Sequence, residues 1–208
     1  ALICASSKGL GRGCAEALAE AGDHLVINAR GQDALQAAAD SIRGRFNVRV
    51  ETVAADITTP EGQNSVLKVL ETPDILINNA GGPPPGMWSD WEKEDFLAAL
   101  EANMLTPIAM IKRILPSMIE KGWGRVVNIT SQSVKAPIAV LGLSNAARAG
   151  LTGYVAGTAR QVAPFGVTIN NLLPGVHATD RIEFLDSQIS KARGISLQEA
   201  AAERAAAI

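Results

Sequence analysis

Short apolar runs alternate with stretches of helical period along most of this chain, and that alternation limits its possible folds more than any other feature. The runs lie at residues 2–5, 25–29, 48–54, 74–78, 125–129 and 167–172. They have the length of strands rather than of buried helices. Helical patterns separate them at 14–21, 33–42, the segment after Pro60, 91–102, 106–121 and 145–162. Pro60 suits a first helical turn, where a missing N–H costs nothing. Strands alternating with helices argue for right-handed crossovers, hence a parallel sheet with helices on both faces. The expected fold is therefore α/β, a three-layer doubly wound parallel sheet.

A chain of 208 residues without a Pro/Gly/Ser-rich linker is expected to form a single domain over residues 1–208. With 47% hydrophobic and only 19% charged residues, it can bury a substantial core. A net charge of −2 with no basic cluster speaks against a nucleic-acid or membrane partner. No apolar run reaches bilayer length, and the first residues resemble a strand rather than a cleavable leader, so the expected location is cytoplasmic. Cys4 and Cys14 have neither metal-site nor redox spacing, so no metal is expected.

In such a sheet, ligands bind beyond the carboxyl ends of the strands, where strand order reverses. The turn Ala5-Ser6-Ser7-Lys8-Gly9-Leu10-Gly11 falls at the first of these ends. Its small residues let a ligand approach the backbone, and the helix that follows offers free N–H groups to a pyrophosphate.

Several motifs in a fixed order now carry a resemblance, from residue 2 to about 180, to the short-chain dehydrogenase/reductase family and its Rossmann-type fold. The glycine turn resembles the family's Gly-x-x-x-Gly-x-Gly loop, with Ala5 at the first glycine and Gly9 and Gly11 at the others; Ser7, Lys8 and Leu10 complete the candidate cradle. Asp56 and Ile57, after the third strand, match the segment that meets the adenine ring. Asn79, Ala80 and Gly81, preceded by Asn78, match the Asn-Asn-Ala-Gly element. Asn103 corresponds to the helix asparagine that holds a relay water, and Ser131 to the catalytic serine. Pro174, Gly175 and Thr179 match the loop over the nicotinamide.

The resemblance implies a dinucleotide cofactor, and charge indicates which. A free ribose diol is usually held by a carboxylate after the second strand, whereas a 2′-phosphate calls for cations. Here that position is Ala29, followed by Arg30, while Lys8 lies in the glycine turn. The expected cofactor is NADP(H).

The same resemblance implies hydride transfer to or from a carbonyl or alcohol, with a tyrosine donating the proton and a lysine one turn later lowering its pKa. Counted from Ser131, those positions hold Ser144 and Arg148. An aliphatic hydroxyl is a far weaker acid than a phenol. A guanidinium that does not deprotonate can hold ribose hydroxyls but relays protons poorly. The sole tyrosine, Tyr154, lies ten residues after Ser144, about 15 Å along a helix. His177, in the loop after Pro174 and Gly175, is the better candidate to supply the proton, directly or beside a bound water. His24 is expected at a surface turn. Met87, Trp88 and Trp91 are expected to pin a long loop.

Residues 180–208, with Phe184, Leu185, Ile189 and a helical stretch at 197–207, fall where relatives carry a lid over a hydrophobic or acyl substrate. The family's last helix and last parallel strand are not matched here, which reads as missing termini. The helices at 103–121 and 145–162 are the expected contacts of a homodimer or homotetramer. Two functions follow. One is an NADPH-linked reductase resembling 3-oxoacyl-carrier-protein reductases, acting on a small carbonyl or acyl substrate. The other is a catalytically silent NADP-binding regulatory or scaffold protein. A lyase or epimerase is a third reading without a residue of its own.

Overall fold

Parallel strands whose neighbours are distant in sequence must be linked by crossovers, and the computed structural model, which describes residues 1–177 and 179–206, shows six of them in one sheet. The strands are β1 (Leu2–Ile3), β2 (Leu25–Ala29), β3 (Val50–Ala54), β4 (Ile75–Asn78), β5 (Gly124–Ile129) and β6 (Val167–Leu172). Their order is β3-β2-β1-β4-β5-β6, and every pairing is parallel. The chain winds one way from β1 to β3 and then the other way from β4 to β6, so order reverses between β1 and β4. That places the expected switch point at the glycine turn.

Successive strand residues point to opposite faces, and the apolar pairs in each strand feed two cores. Leu2, Val26, Leu76 and Val126 face one cluster, which includes Met110, Ile114, Met118, Leu151 and Val155. Ile3, Ile27 and Ile77 face the other, with Ala15, Ala19, Leu35, Ala39 and Ile42. Helices α1 (Gly9–Glu20) and α2 (Gln32–Arg45) therefore cover one face. α3 (Pro60–Val69), α5 (Thr106–Lys121) and α6 (Gly142–Val162) cover the other. β2 is buried at all five positions, as a central parallel strand between two helical layers must be.

The segment expected as one helix over 91–102 is divided. α4 (Lys93–Leu100) leads into a π-helical turn at Glu101–Leu105, which runs on into α5. Its extra residue per turn places Asn103 inward, 3% exposed. Trp91 anchors the preceding loop, since a Cβ on Gly86 or Gly142 would meet its ring at 2.8 Å or 2.4 Å. Trp88 is exposed. His24 accepts from Arg49 N at 3.1 Å and joins the approaches to β2 and β3.

By its internal contacts the chain falls into two compact units, Ala1–Pro174 and Gly175–Ile208. The second contains α7 (Asp180–Arg193) and α8 (Leu197–Ala206), packed on each other. Arg204 reaches both carboxylate oxygens of buried Asp186 at 2.8 and 3.0 Å, and Arg193 pairs with Glu203. Residue 207, at the end of the expected last helix, lies outside the described residues. Among the described residues, no helix is long and apolar enough to cross a membrane.

Candidate active site

After Ile3 the chain leaves β1 through a tight turn in which Ala5 adopts φ +47°, a left-handed conformation unusual for a residue with a Cβ. This is the position where the resemblance expects the first glycine. Ser6, fully buried, ties the turn down. Its Oγ donates toward Ile3 O (2.9 Å) and Asn28 O (3.2 Å) and accepts from Asn28 N (3.1 Å). Asn28 in turn donates to the carbonyls of Val53 and Ala55 at 2.9 and 3.1 Å. The ends of β1, β2 and β3 are thus stitched together by two side chains.

The turn closes on a second loop. Asn79 Nδ2 donates to Ala5 O at 3.1 Å, and Gly11 sits against both. A Cβ on Gly11 would lie 2.3 Å from Ala5 O and 2.7 Å from Asn79 Nδ2, so only glycine permits this approach. Gly9 follows Lys8 at φ +57° and opens α1. Lys8 is the N-cap of α1 and, as its ammonium carries no acceptor, makes no side-chain cap bond to the first amides. Ser7 and Leu10 flank this opening and are half-buried; Lys8 is exposed.

Arg30 directly follows β2 and is exposed. Asp56, soon after β3, accepts from the Thr58 hydroxyl at 2.7 Å and from Thr58 N at 3.0 Å. These bonds, helped by attraction to the Arg30 cation, hold its carboxyl below the usual range. Ile57 beside it is buried, and its carbonyl accepts from Gln63.

On the other half of the sheet, the strand ends carry a ladder of asparagines. Asn78, Asn128 and Asn171 are in register across β4, β5 and β6. Asn78 Nδ2 donates to Asn128 Oδ1 at 2.9 Å, and Asn128 Nδ2 to Asn171 Oδ1 at 3.0 Å. Beyond the ladder, Thr130 N donates to Leu172 O and Gln132 N to Pro174 O, which brings Pro174 alongside the residues around Ser131. Ser131 Oγ accepts from Ser133 N at 3.1 Å and caps a single 3₁₀ turn.

A cavity of about 10 Å³, room for one water molecule, brings several expected residues together. Asn79, Ala80, Asn103 and Arg148 all line it, as do Asn78 and Asn128. Asn103 Oδ1 is buried without a hydrogen-bond partner among the described residues. A neighbouring cavity of about 200 Å³ is lined by Gly81, Pro83, Pro84, Ala98, Asn103 and Leu143. Ser144 and Arg148 are both buried, on the inward face of α6. Arg148 Nε donates to Ser144 Oγ at 3.1 Å, and Nη1 to the carbonyls of Ile129 and Thr130 at 2.8 and 3.0 Å. Tyr154 is half-buried against the interior cluster further along α6.

In the second unit, His177 is exposed, with Nδ1 3.2 Å from Gly175 O, and Thr179 precedes α7 as its N-cap. Among the described residues, no cluster of three or more His, Cys, Asp or Glu could hold a metal. Cys4 is buried, which pushes its thiol up to about 12, and it has no place in the site.

Asn28 and Asn171 belong to none of the sequence motifs, and Ser6 only to the run of the glycine turn. Each lies at or just past a strand end, and that placement is the only local signal they give.

Residues 1–189 match the short chain dehydrogenase family. The chain is 31% identical over 194 residues to the 3-oxoacyl-[acyl-carrier-protein] reductase FabG of Vibrio cholerae, covering 90% of this chain and 77% of that protein. L-Sorbose reductase from Gluconobacter frateurii, solved with NADPH and L-sorbose, has a TM-score of 0.87 at 28% identity, over 95% of this chain and 77% of that one. YwfH, an NADPH-dependent reductase involved in bacilysin biosynthesis, has a TM-score of 0.91 at 27% identity, over 100% of this chain and 82% of that one.

Proposed function

Because the chain belongs to the short-chain dehydrogenase family, we propose that it is an NADP(H)-dependent oxidoreductase acting on a small carbonyl or alcohol, with a 3-oxoacyl thioester as the favoured substrate class. The observation that carries the reading is the close packing of Ala5, Gly11 and Asn79 at the point where strand order reverses. A turn that has no room for a Cβ at Gly11 and leads into the N-terminus of α1 fits a pyrophosphate. Lys8 and Arg30 supply cations for a 2′-phosphate, and Ala29 leaves no competing carboxylate at the end of β2. Similarity to reductases solved with or dependent on NADPH supports the same choice.

When bound, the cofactor supplies or accepts a hydride at the substrate carbon. On this reading Asp56 and Ile57 border the adenine, Asn79, Ala80 and Gly81 the adjoining ribose, and Pro174, Gly175 and Thr179 the nicotinamide. Ser131 keeps its hydroxyl proton while accepting from Ser133 N, so it can donate to a substrate oxygen. Ser144 accepts from Arg148 Nε and can likewise still donate. Neither hydroxyl is acidic enough to give up its proton outright near neutral pH. His177 or a water supplies the proton that the substrate oxygen gains, with Asn103 holding the relay. Residues 180–208 serve as the substrate lid of a single dinucleotide-binding domain.

Ser144 and Arg148 stand where the resemblance expects tyrosine and lysine, and the second reading that these residue types leave is an NADP-binding protein that regulates without turnover. Two measurements test the proposal. Lys8→Ala/Arg30→Ala should weaken NADPH binding at least tenfold and leave NADH binding unchanged; equal loss for both cofactors refutes the phosphate assignment. If His177→Ala turns over like the native protein, the histidine is not the proton source.

A further inference from the structure

Arg148 is 9% exposed, and two of its hydrogen bonds run to the end of β5. Nη1 is shared between the carbonyls of Ile129, the last residue of β5, and Thr130, the first beyond it. Pairing with β4 ends one residue earlier, at Asn78 with Asn128. On that flank the strand end has lost its ladder just where Arg148 supplies donors. On the other flank β6 continues to hold it, through Thr130 N to Leu172 O. The next residue is Ser131, which is itself fixed as the cap of a 3₁₀ turn.

We propose that Arg148 is a positioning residue: a buried clamp from α6 that sets the end of β5, and with it the placement of Ser131, rather than a cation that holds the cofactor's ribose. The proposal rests on the reading of Ser131 as the group that orients the substrate oxygen. The planar guanidinium fits the task because its donors are rigidly spaced. Nη1 spans two successive carbonyls while Nε is held by Ser144 at 3.1 Å. A lysine ammonium is a single point and cannot keep the carbonyls and Ser144 in that geometry. The Ser144 and Arg148 substitutions are then one unit, the serine accepting the bond that fixes the fork.

The test uses the full chain with Arg148→Met and Arg148→Lys. Amide hydrogen exchange is followed by mass spectrometry in the peptide covering 127–134, alongside NADPH affinity and steady-state kinetics. A clamp predicts at least tenfold faster exchange in that peptide for both variants, with the α1 and β2 peptides unchanged. It also predicts a kcat at least tenfold lower, while NADPH affinity and KM stay within threefold. Lysine should not rescue. A ribose-binding cation predicts the reverse: a tenfold or larger loss of NADPH affinity in Arg148→Met, unchanged exchange, and rescue by lysine, and that outcome overturns the clamp. Should Arg148→Met fail to fold, Arg148→Lys is read by the same criteria. If the native protein binds no NADPH, the proposed function falls, while the exchange result still decides for or against the clamp.

Discussion

Gly11 and Gly13 lie two residues apart on α1, and replacing each by alanine should shift stability in opposite directions. Alanine in a helix is favoured over glycine by about 1 kcal/mol. At Gly13 nothing lies within 4 Å of an added Cβ, so that gain is expressed in full. At Gly11 the new carbon would lie 2.3 Å from Ala5 O, 2.7 Å from Asn79 Nδ2 and 2.9 Å from Ala5 C. The first is roughly 1 Å inside ordinary contact, and two of the three atoms are backbone, so the turn itself must move. Overpacking of this kind costs about 3 kcal/mol at its upper range. Set against the propensity gain, Gly11→Ala should lose about 2 kcal/mol, a fall in Tm of about 4–8 °C, while Gly13→Ala should gain about 2–4 °C. Differential scanning calorimetry reads both. Because the displaced turn is the proposed pyrophosphate cradle, NADPH affinity should drop at least tenfold in Gly11→Ala alone. Equal Tm shifts in the two variants would refute the close approach on which the site is built.

Three other perturbations bear on the same region. Ala5→Gly relieves a left-handed Cβ worth about 1–2 kcal/mol, partly offset by glycine's entropy of about 0.5–1 kcal/mol. Urea denaturation should therefore show a modest net gain, and a loss above about 1 kcal/mol would mean that the Ala5 methyl is held by packing. Asn128→Ala removes the centre of the asparagine ladder and leaves Asn78 and Asn171 each short of a partner. The expected cost is about 2–4 kcal/mol, and one below about 1 kcal/mol would show the ladder to be dispensable. The Asp56 carboxyl is depressed by Thr58, so the stability it contributes is complete above its unfolded value near about pH 4 and is lost as pH falls through its lower folded value. In a carbon-13 NMR titration, Thr58→Val should raise the Asp56 midpoint; an unmoved midpoint contradicts the assigned cause.

The layers of the fold were legible where apolar period and length agreed. β2, β6 and α5 have the bounds that the pattern predicts. β1 stops at Ile3 rather than residue 5, since the chain must turn at Ala5 for Ser6 to reach the end of β2. α1 begins at Gly9, five residues before its apolar stripe becomes readable, because glycines carry no periodic signal. The π turn around Asn103, where α4 runs on into α5, has no local signature. The asparagine ladder depends on the register of three strands far apart in sequence. The inward course of the Arg148 side chain is likewise a rotamer decided by carbonyls on another element, which spacing from Ser131 does not encode.

The central claim is that this chain still moves hydride although Ser144 and Arg148 stand where tyrosine and lysine are expected. The direct test is transfer of deuterium from NADPH labelled at C4, using each C4 epimer in turn, to 3-oxoacyl thioesters and small diketones, with products read by mass spectrometry. The account predicts deuterium on the carbinol carbon, from one epimer only, together with a Tm raised by NADPH. NADPH that raises Tm but leaves no label in any product would contradict it, and would leave a protein that binds the dinucleotide without using it.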